Sequence, residues 1–521
     1  YNSRAITLTA SISTLIISIF YLIPQMVGAG DLVTPLMGLP HWVGVLLVGA
    51  IVIIIVATAG MASTTYVQFL KGGLLIVLST ILTVYILKNG LTLHPDQKDQ
   101  KYHSFMALIP QMNDQQVASV DGWELLAQVP VKGKEFVQLK KDGIVRWFDL
   151  VKDNQEGYVL KEALSITHDK EGKVLYNGEP QSNGNFYQVG HLSKIVKDGK
   201  EFEATGPLGP VEYLSTIEKS TLVRFANAKF QHDGESVSLF YQQPTPGKSF
   251  MLPGLKYKIG KGSSLWSRLD FISLMLALFL GTAALPHILI RYYTVRSPKD
   301  ARKSTILAIA AIGAFYVLTL YMGLGAAVNG SMDVESSNMA APLLARAIGA
   351  VLFSAISAVA FATILGTVSG LIVAASGAIA HDFIDVYLKK DLNDNSKVYV
   401  GKVAALSVGL LSILLGMAFK GVNVSFLVGW AFAIAASANL PAILFLLFWK
   451  KTSAKAIAYS IVVGIVSSLA IILTSPTMWD RYGLDPAGAI HHLENPALIS
   501  FPLAVITIYI CSYLYPKEKV A

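Results

Sequence analysis

Long windows without a single Asp, Glu, Lys or Arg dominate this chain: residues 6–30, 32–70, 72–87, 271–290, 304–332, 347–380, 403–419, 421–449, 456–479 and 495–516. A helix rises about 1.5 Å per residue, so roughly 20 apolar residues cross a hydrocarbon core of about 30 Å. Most of these windows are long enough to span. The window 32–70 holds one span and the start of another, with a break expected near Gly60 and Ser63-Thr64-Thr65. Lys71 then falls early in the next helix, where its stem reaches toward the interface. The pattern predicts about ten spans, an all-α polytopic membrane protein.

Between the third and fourth helices the pattern changes. Residues 136–139 and 144–148, rich in Phe, Val, Ile and Trp, flank Lys141-Asp142-Gly143, a hairpin signal. Asp169-Lys170-Glu171-Gly172 marks a second turn, between residues 164–167 and 173–176. Recurring aromatic and β-branched residues predict a folded, β-rich soluble insert rather than a disordered loop. The chain therefore divides into residues 1–90 with the first three transmembrane helices, a β-rich insert at 91–268, and residues 269–521 with the remaining seven helices. The insert has no metal-ligand spacing, nucleophile motif or glycine-rich phosphate loop, and its sequence names no partner for it.

Composition agrees with this division: 53% of the 521 residues are hydrophobic and 15% are charged, against roughly 25% charged in an average soluble domain. The formal charge of +8 raises nucleic acid as a partner, but its distribution answers otherwise. Arg291, Arg296, Lys299, Arg302 and Lys303 follow the fourth helix; Lys389, Lys390, Lys397 and Lys402 the sixth; Lys450, Lys451 and Lys455 the eighth; Lys517 and Lys519 the tenth. The loops after the first, fifth, seventh and ninth helices hold at most one Lys or Arg each. Positive residues collect on cytoplasmic loops. A multi-pass protein of the cell inner (plasma) membrane is expected, with both ends of this chain cytoplasmic, the insert extracytoplasmic, and no nucleic-acid partner. Cys511 is the only cysteine, so no intrachain disulfide forms. The chain starts at Tyr1 without Met and reads as trimmed or partial.

Backbone polar groups in lipid are satisfied internally, so Gly, Pro and polar residues inside a span mark protein-facing or cavity-facing positions. The first helix holds Pro24 and Gln25; the proline frees the carbonyl four residues back, and Gln25 lines a pathway or bonds a neighbouring helix. The fourth holds Gly281-Thr282-Ala283-Ala284-Leu285-Pro286-His287, where a break would expose donors to a bound anion near the midplane. His287 suits a proton carrier or an interfacial histidine. The sixth window, 347–380, would be about 51 Å long if fully helical and must tilt, break or protrude. Within it Thr363, Gly366 and Thr367 share one face. Their carbonyls and the Thr367 hydroxyl offer oxygens to a hard cation such as sodium, or simply allow close helix packing.

These segments resemble the cation/acetate symporter branch of the sodium:solute symporter family. The resemblance rests on YLIPQMVGAG at 21–30, LDFISL at 269–274, GTAALPHIL at 281–289, ARKS at 301–304, ISAVAFATIL at 356–365, AHD at 380–382 and AFAIAAS at 431–437. It covers residues 1 to about 90 and about 265 to 515, not the insert. It implies an inverted-repeat transporter fold of five plus five core helices, with three more spans upstream of Tyr1. It implies secondary active symport of acetate or another small monocarboxylate by alternating access, coupled to sodium or a proton. By the same resemblance, sodium ligands fall on Thr363, Gly366 and Thr367, and substrate-proximal positions on Thr282 and Pro286, with Gln25 added from its place in the first helix. Many relatives have an acidic residue where Gln68 stands. No catalytic residue is assigned, the chain is not read as an enzyme, and no cofactor is expected beyond sodium as coupling ion. A transporter-like membrane sensor, or a binding module that uses the outer domain, is the alternative.

Overall fold

The computed structural model describes residues 3–58, 61–96, 101–113, 116–131, 133–153, 157–180, 183, 186–252, 257, 259–260, 262–289, 292, 295–387 and 393–516. Its helices are α1 (Arg4–Met37), α2 (His41–Thr58), α3 (Met61–Asn89), α4 (Pro210–Lys219), α5 (Gly247–Phe250), α6 (Leu265–Gly281), α7 (Pro286–Leu289), α8 (Pro298–Val328), α9 (Ala340–Ile348), α10 (Ala350–Gly377), α11 (Asp394–Ala418), α12 (Val424–Ala438), α13 (Leu440–Phe448), α14 (Ala454–Leu473), α15 (Pro476–Arg481) and α16 (Ala497–Leu514). The strands are β1 (Ala107–Leu108), β2 (Gln111–Asn113), β3 (Gln116–Ser119), β4 (Glu124–Val131), β5 (Lys134–Lys141), β6 (Ile144–Asp153), β7 (Gly157–His168), β8 (Val174–Tyr176), β9 (His191–Lys197), β10 (Lys200–Phe202), β11 (Thr221–His232) and β12 (Glu235–Pro246).

Among the described residues nine helices are long and apolar enough to cross a bilayer, and His41–Val56 adds a shorter apolar run. This is a multi-pass membrane protein with a β-rich insert. The first helix is longer than its uncharged window. It passes through Pro24 and Asp31 and ends at Gly38, whose φ of 66° and N–H bond to the Thr34 carbonyl close the last turn. Asp31 is buried beside His41, whose Nε2 lies 3.7 Å from the carboxylate and 3.2 Å from the Val27 carbonyl. Lys71 departs from the interfacial position expected for it: its ammonium donates to the Ala362 carbonyl on α10 at 2.7 Å. The residues of the basic clusters at 291, 389, 390, 517 and 519, Gly60, and the Gln68 side chain lie outside the described residues.

The chain forms two compact units, one of residues 1–78, 252–316 and 354–521, the other of 79–251 and 317–353. In the first, α1 lies between two apolar clusters. Ile17, Ile23 and Val27 pack with Leu285 and with Phe426, Trp430 and Ile434 of α12. Leu22, Met26 and Ala29 pack with Val45 and Val48 of α2, Val368 and Ile372 of α10, and Val408 of α11. Small residues set the approaches of α6 and α14 to α12: a Cβ on Gly281 would collide with the Phe432 carbonyl, and one on Gly464 with the Ser437 carbonyl.

The second unit joins the insert to the ends of α3 and α8 and to α9. Its main sheet runs β10-β9-β11-β12-β7-β6-β5-β4, with β1 and β8 also on β7. The first expected hairpin pairs Lys141 with Ile144, with Asp142 at φ 51° and Gly143 at φ 82°, as a two-residue turn with two positive φ angles requires. In the second turn the Asp169 carboxylate accepts from the Glu171 and Lys173 N–H groups at 2.9 and 2.7 Å. Both faces of β5 and β6 are covered, Val137, Leu139 and Phe148 by one cluster and Phe136 and Trp147 by another.

Candidate functional site

The fourth apolar window is broken in the structure. The helix α6 stops at Gly281 and the chain resumes as α7 at Pro286. Proline has no N–H to give the Thr282 carbonyl, so the usual bond from residue 286 to residue 282 cannot form. The Ile288 and Leu289 N–H groups both turn to the Leu285 carbonyl, at 3.1 Å each. That leaves the Ala284 carbonyl without its helical donor, and Asn439 supplies one: its Nδ2 donates at 3.0 Å. The Asn439 Oδ1 in turn accepts from the Ser13 hydroxyl at 2.7 Å. Asn439 stands where α12 gives way to α13, so one amide joins two interrupted helices to α1.

Around this knot lies a cleft of about 640 Å³. Its walls include Thr14 of α1, Pro286, Asn439, and His381 and Asp382 in the π-helical turns that follow α10. His381 Nδ1 and Asp382 Oδ1 are 2.8 Å apart. Of the sequence-derived substrate residues, Pro286 lines the cleft. Thr282 is exposed at the break and its hydroxyl donates to the Leu278 carbonyl at 2.7 Å. Gln25 is half-buried on α1; the polar link from that helix to the break runs instead through Ser13, and the ring contact through Tyr21, 5.3 Å from the His287 ring.

The three cation candidates lie on α10, which is unbroken from Ala350 to Gly377. Thr367 Oγ1 donates to the Thr363 carbonyl at 3.1 Å. The Gly366 carbonyl accepts from Ser369 Oγ at 3.1 Å. The Thr367 hydroxyl donates one bond and keeps its lone pairs, whereas each carbonyl, already accepting the helical N–H four residues on, has its second lone pair filled by a hydroxyl that must turn away before an ion can bind. These residues stand outside the cleft lining; Thr367 is six residues, about 9 Å along the axis, from Val373, where α10 enters it. The Lys71 ammonium at Ala362 stands next in sequence to Thr363.

Asn439, Ser13 and the His381–Asp382 pair received no role from the sequence, and Lys71 only an interfacial one. The signal for Asn439 was present: it is a polar residue two before Pro441 inside a long uncharged window, the same signature that pointed to the 281–287 break.

Comparison with known proteins bears on what this arrangement serves. The chain is 46% identical over 268 residues to the "Monocarboxylic acid transporter" of Corynebacterium glutamicum, covering 50% of this chain and 48% of that protein. It is 40% identical over 304 residues to an uncharacterized symporter of Bacillus subtilis, YwcA, covering 56% and 58% respectively. The chain thus spans about half the length of the curated relatives it matches. The family description "Sodium:solute symporter family" matches residues 1–120 and 238–464. The unmatched middle, 121–237, falls within the insert. With more than half of its residues matched on both sides of that segment, the chain belongs to the sodium:solute symporter family.

Proposed function

We propose that this protein is a secondary active symporter that couples entry of a cation, sodium or a proton, to uptake of acetate or another small monocarboxylate by alternating access. The observation that carries the reading is the 46% identity to a monocarboxylic acid transporter. The geometry supports it: a carboxylate near the midplane needs hydrogen-bond donors rather than a fixed unpaired charge, which is costly at that depth. Pro286 and Asn439 line the cleft, and in this reading the Gln25 amide and the Thr282 hydroxyl, once turned from the Leu278 carbonyl, supply the donors. Sodium in this reading takes the Thr363 and Gly366 carbonyls and the Thr367 hydroxyl, with further ligands from a facing element. The ends of the chain are cytoplasmic and the insert is outside.

Labelled acetate uptake by the full-length gene product in proteoliposomes tests the reading. Propionate should compete and proline and glucose should not. Competition by sugars alone would assign the protein to another substrate class.

A further inference from the structure

The second unit contains a recess with the chemistry of an anion site. Its volume is about 200 Å³, and it is lined by the consecutive residues Lys101, Tyr102 and His103, by Tyr187, by Gly330 and by Arg346 at the end of α9, among others. The walls are firmly built. His103 stacks on Tyr187 with ring centroids 3.6 Å apart and planes 4° from parallel. Its Nε2 meets the buried Glu162 carboxylate at 3.2 Å, and Arg146 also bonds that carboxylate. The Tyr102 hydroxyl is bonded to His191 Nδ1 at 3.0 Å. Gly330, at φ +61°, passes so close to the Tyr102 ring that a Cβ there would lie 2.5 Å from it. The Gly330 N–H donates to the Gly190 carbonyl at 2.7 Å, and Val189 and Met332 exchange two further backbone bonds.

The two full charges at the rim are treated differently. Among the described residues neither Lys101 nor Arg346 has an ion-pair partner, and no Asp or Glu lines the recess. Two cations facing one concavity repel each other, and an anion between them reverses the sign of that interaction. Lysine offers three donors and the guanidinium fork five; the fork suits the two oxygens of a carboxylate. The stacked Tyr187–His103 pair provides a small patch of ring carbon for a short alkyl group in an otherwise mostly polar lining.

We propose that this recess is a binding site for a small carboxylate, held between Lys101 and Arg346 with its alkyl end against the stacked rings. The choice of a carboxylate over other small anions rests on the transport reading above. Removing one charge-assisted contact should weaken binding about tenfold, the equivalent of roughly 1.4 kcal/mol.

Cysteine protection on the full-length protein tests this independently of transport. In a Cys511→Ser background, Gln188→Cys places a thiol on the recess lining, and acetate should slow its alkylation. Arg346→Gln and Lys101→Gln should each raise the half-protecting acetate concentration about tenfold, and Lys101→Arg should restore it. Inorganic phosphate at the same concentrations should protect poorly. Protection unaltered by loss of either charge, or protection by phosphate in preference to acetate, would overturn the proposal. A protein that shows charge-dependent protection but no acetate uptake would retain this site and lose the transport reading; uptake without protection would do the reverse.

Discussion

Thr367 carries the only side-chain oxygen that the proposed sodium site draws from α10, and its hydroxyl proton is already directed to the Thr363 carbonyl. Its lone pairs are the part available to an ion. Thr367→Val keeps the shape and removes the oxygen; Thr367→Ser keeps the oxygen and removes a methyl group. With oxygen ligation, Val should raise the sodium concentration for half-maximal uptake by about tenfold or more, since about 1.4 kcal/mol is one decade, and Ser should resemble the parent. With packing alone the order reverses, because Val preserves volume. Lys71 adds an opposing charge at Ala362. An ammonium this near a sodium ion disfavours it electrostatically, so Lys71→Met should lower the sodium requirement several-fold. An unchanged requirement with a lower melting temperature would make Lys71 a tie between α3 and α10 only. The Lys71 contact was not legible in the sequence. The 363–367 face was visible from its spacing, but a lysine on a different helix reaching that face is a long-range contact that periodicity does not encode.

At the level of elements, legibility followed how local the causes are. The hairpin between β5 and β6 could be read because two adjacent residues with positive φ determine it. The order of the sheet could not, because β7 pairs with β6 along its first half and with β12 along its second, Leu164 opposite Phe240. The continuation of α1 past Asp31 was hidden for a related reason: the His41 that lies against it, and bonds the Val27 carbonyl of α1, is on the next helix. Strand β9 makes a pH prediction. Burial, with a smaller effect from His94, pushes the His191 pKa down to about 4. Between the ordinary value near 6.5 and about 4, the unfolded chain binds a proton that the folded one refuses. Stability of the second unit should therefore fall as pH drops through that window. Asp149, raised by burial despite Lys134, acts in the opposite sense, so the comparison must be with His191→Gln. Protection factors of β9 and β11 amides, taken relative to the intrinsic exchange rate at each pH, should fall from pH 6.5 to 4 in the parent and change less in the variant. Equal pH dependence in both would assign the effect to other groups.

For the whole molecule, the family match runs up to residue 120 and resumes at 238, so the segment between is carried on a transporter frame rather than replacing part of it. The sequence exposed that division through composition, yet it did not show that residues 317–353 fold with the insert in one compact unit. This matters for orientation. The junction that binds Val189 to Met332 places the α8–α9 connection and the insert in one unit, so the two must lie on the same side of the bilayer. That connection contains a single basic residue up to α10, Arg346, whereas the segment leading into α8 contains Arg296, Lys299, Arg302 and Lys303. From the bias of Lys and Arg toward the cytoplasm we propose that the insert lies outside and the start of α8 inside, two expectations that agree across one helix. In a Cys511→Ser background, Lys141→Cys on the β5–β6 turn and Lys299→Cys at the start of α8, both exposed, provide the test. An impermeant thiol reagent should label Lys141→Cys in intact cells and Lys299→Cys only after permeabilisation. Labelling of Lys299→Cys and not Lys141→Cys in intact cells would invert the topology.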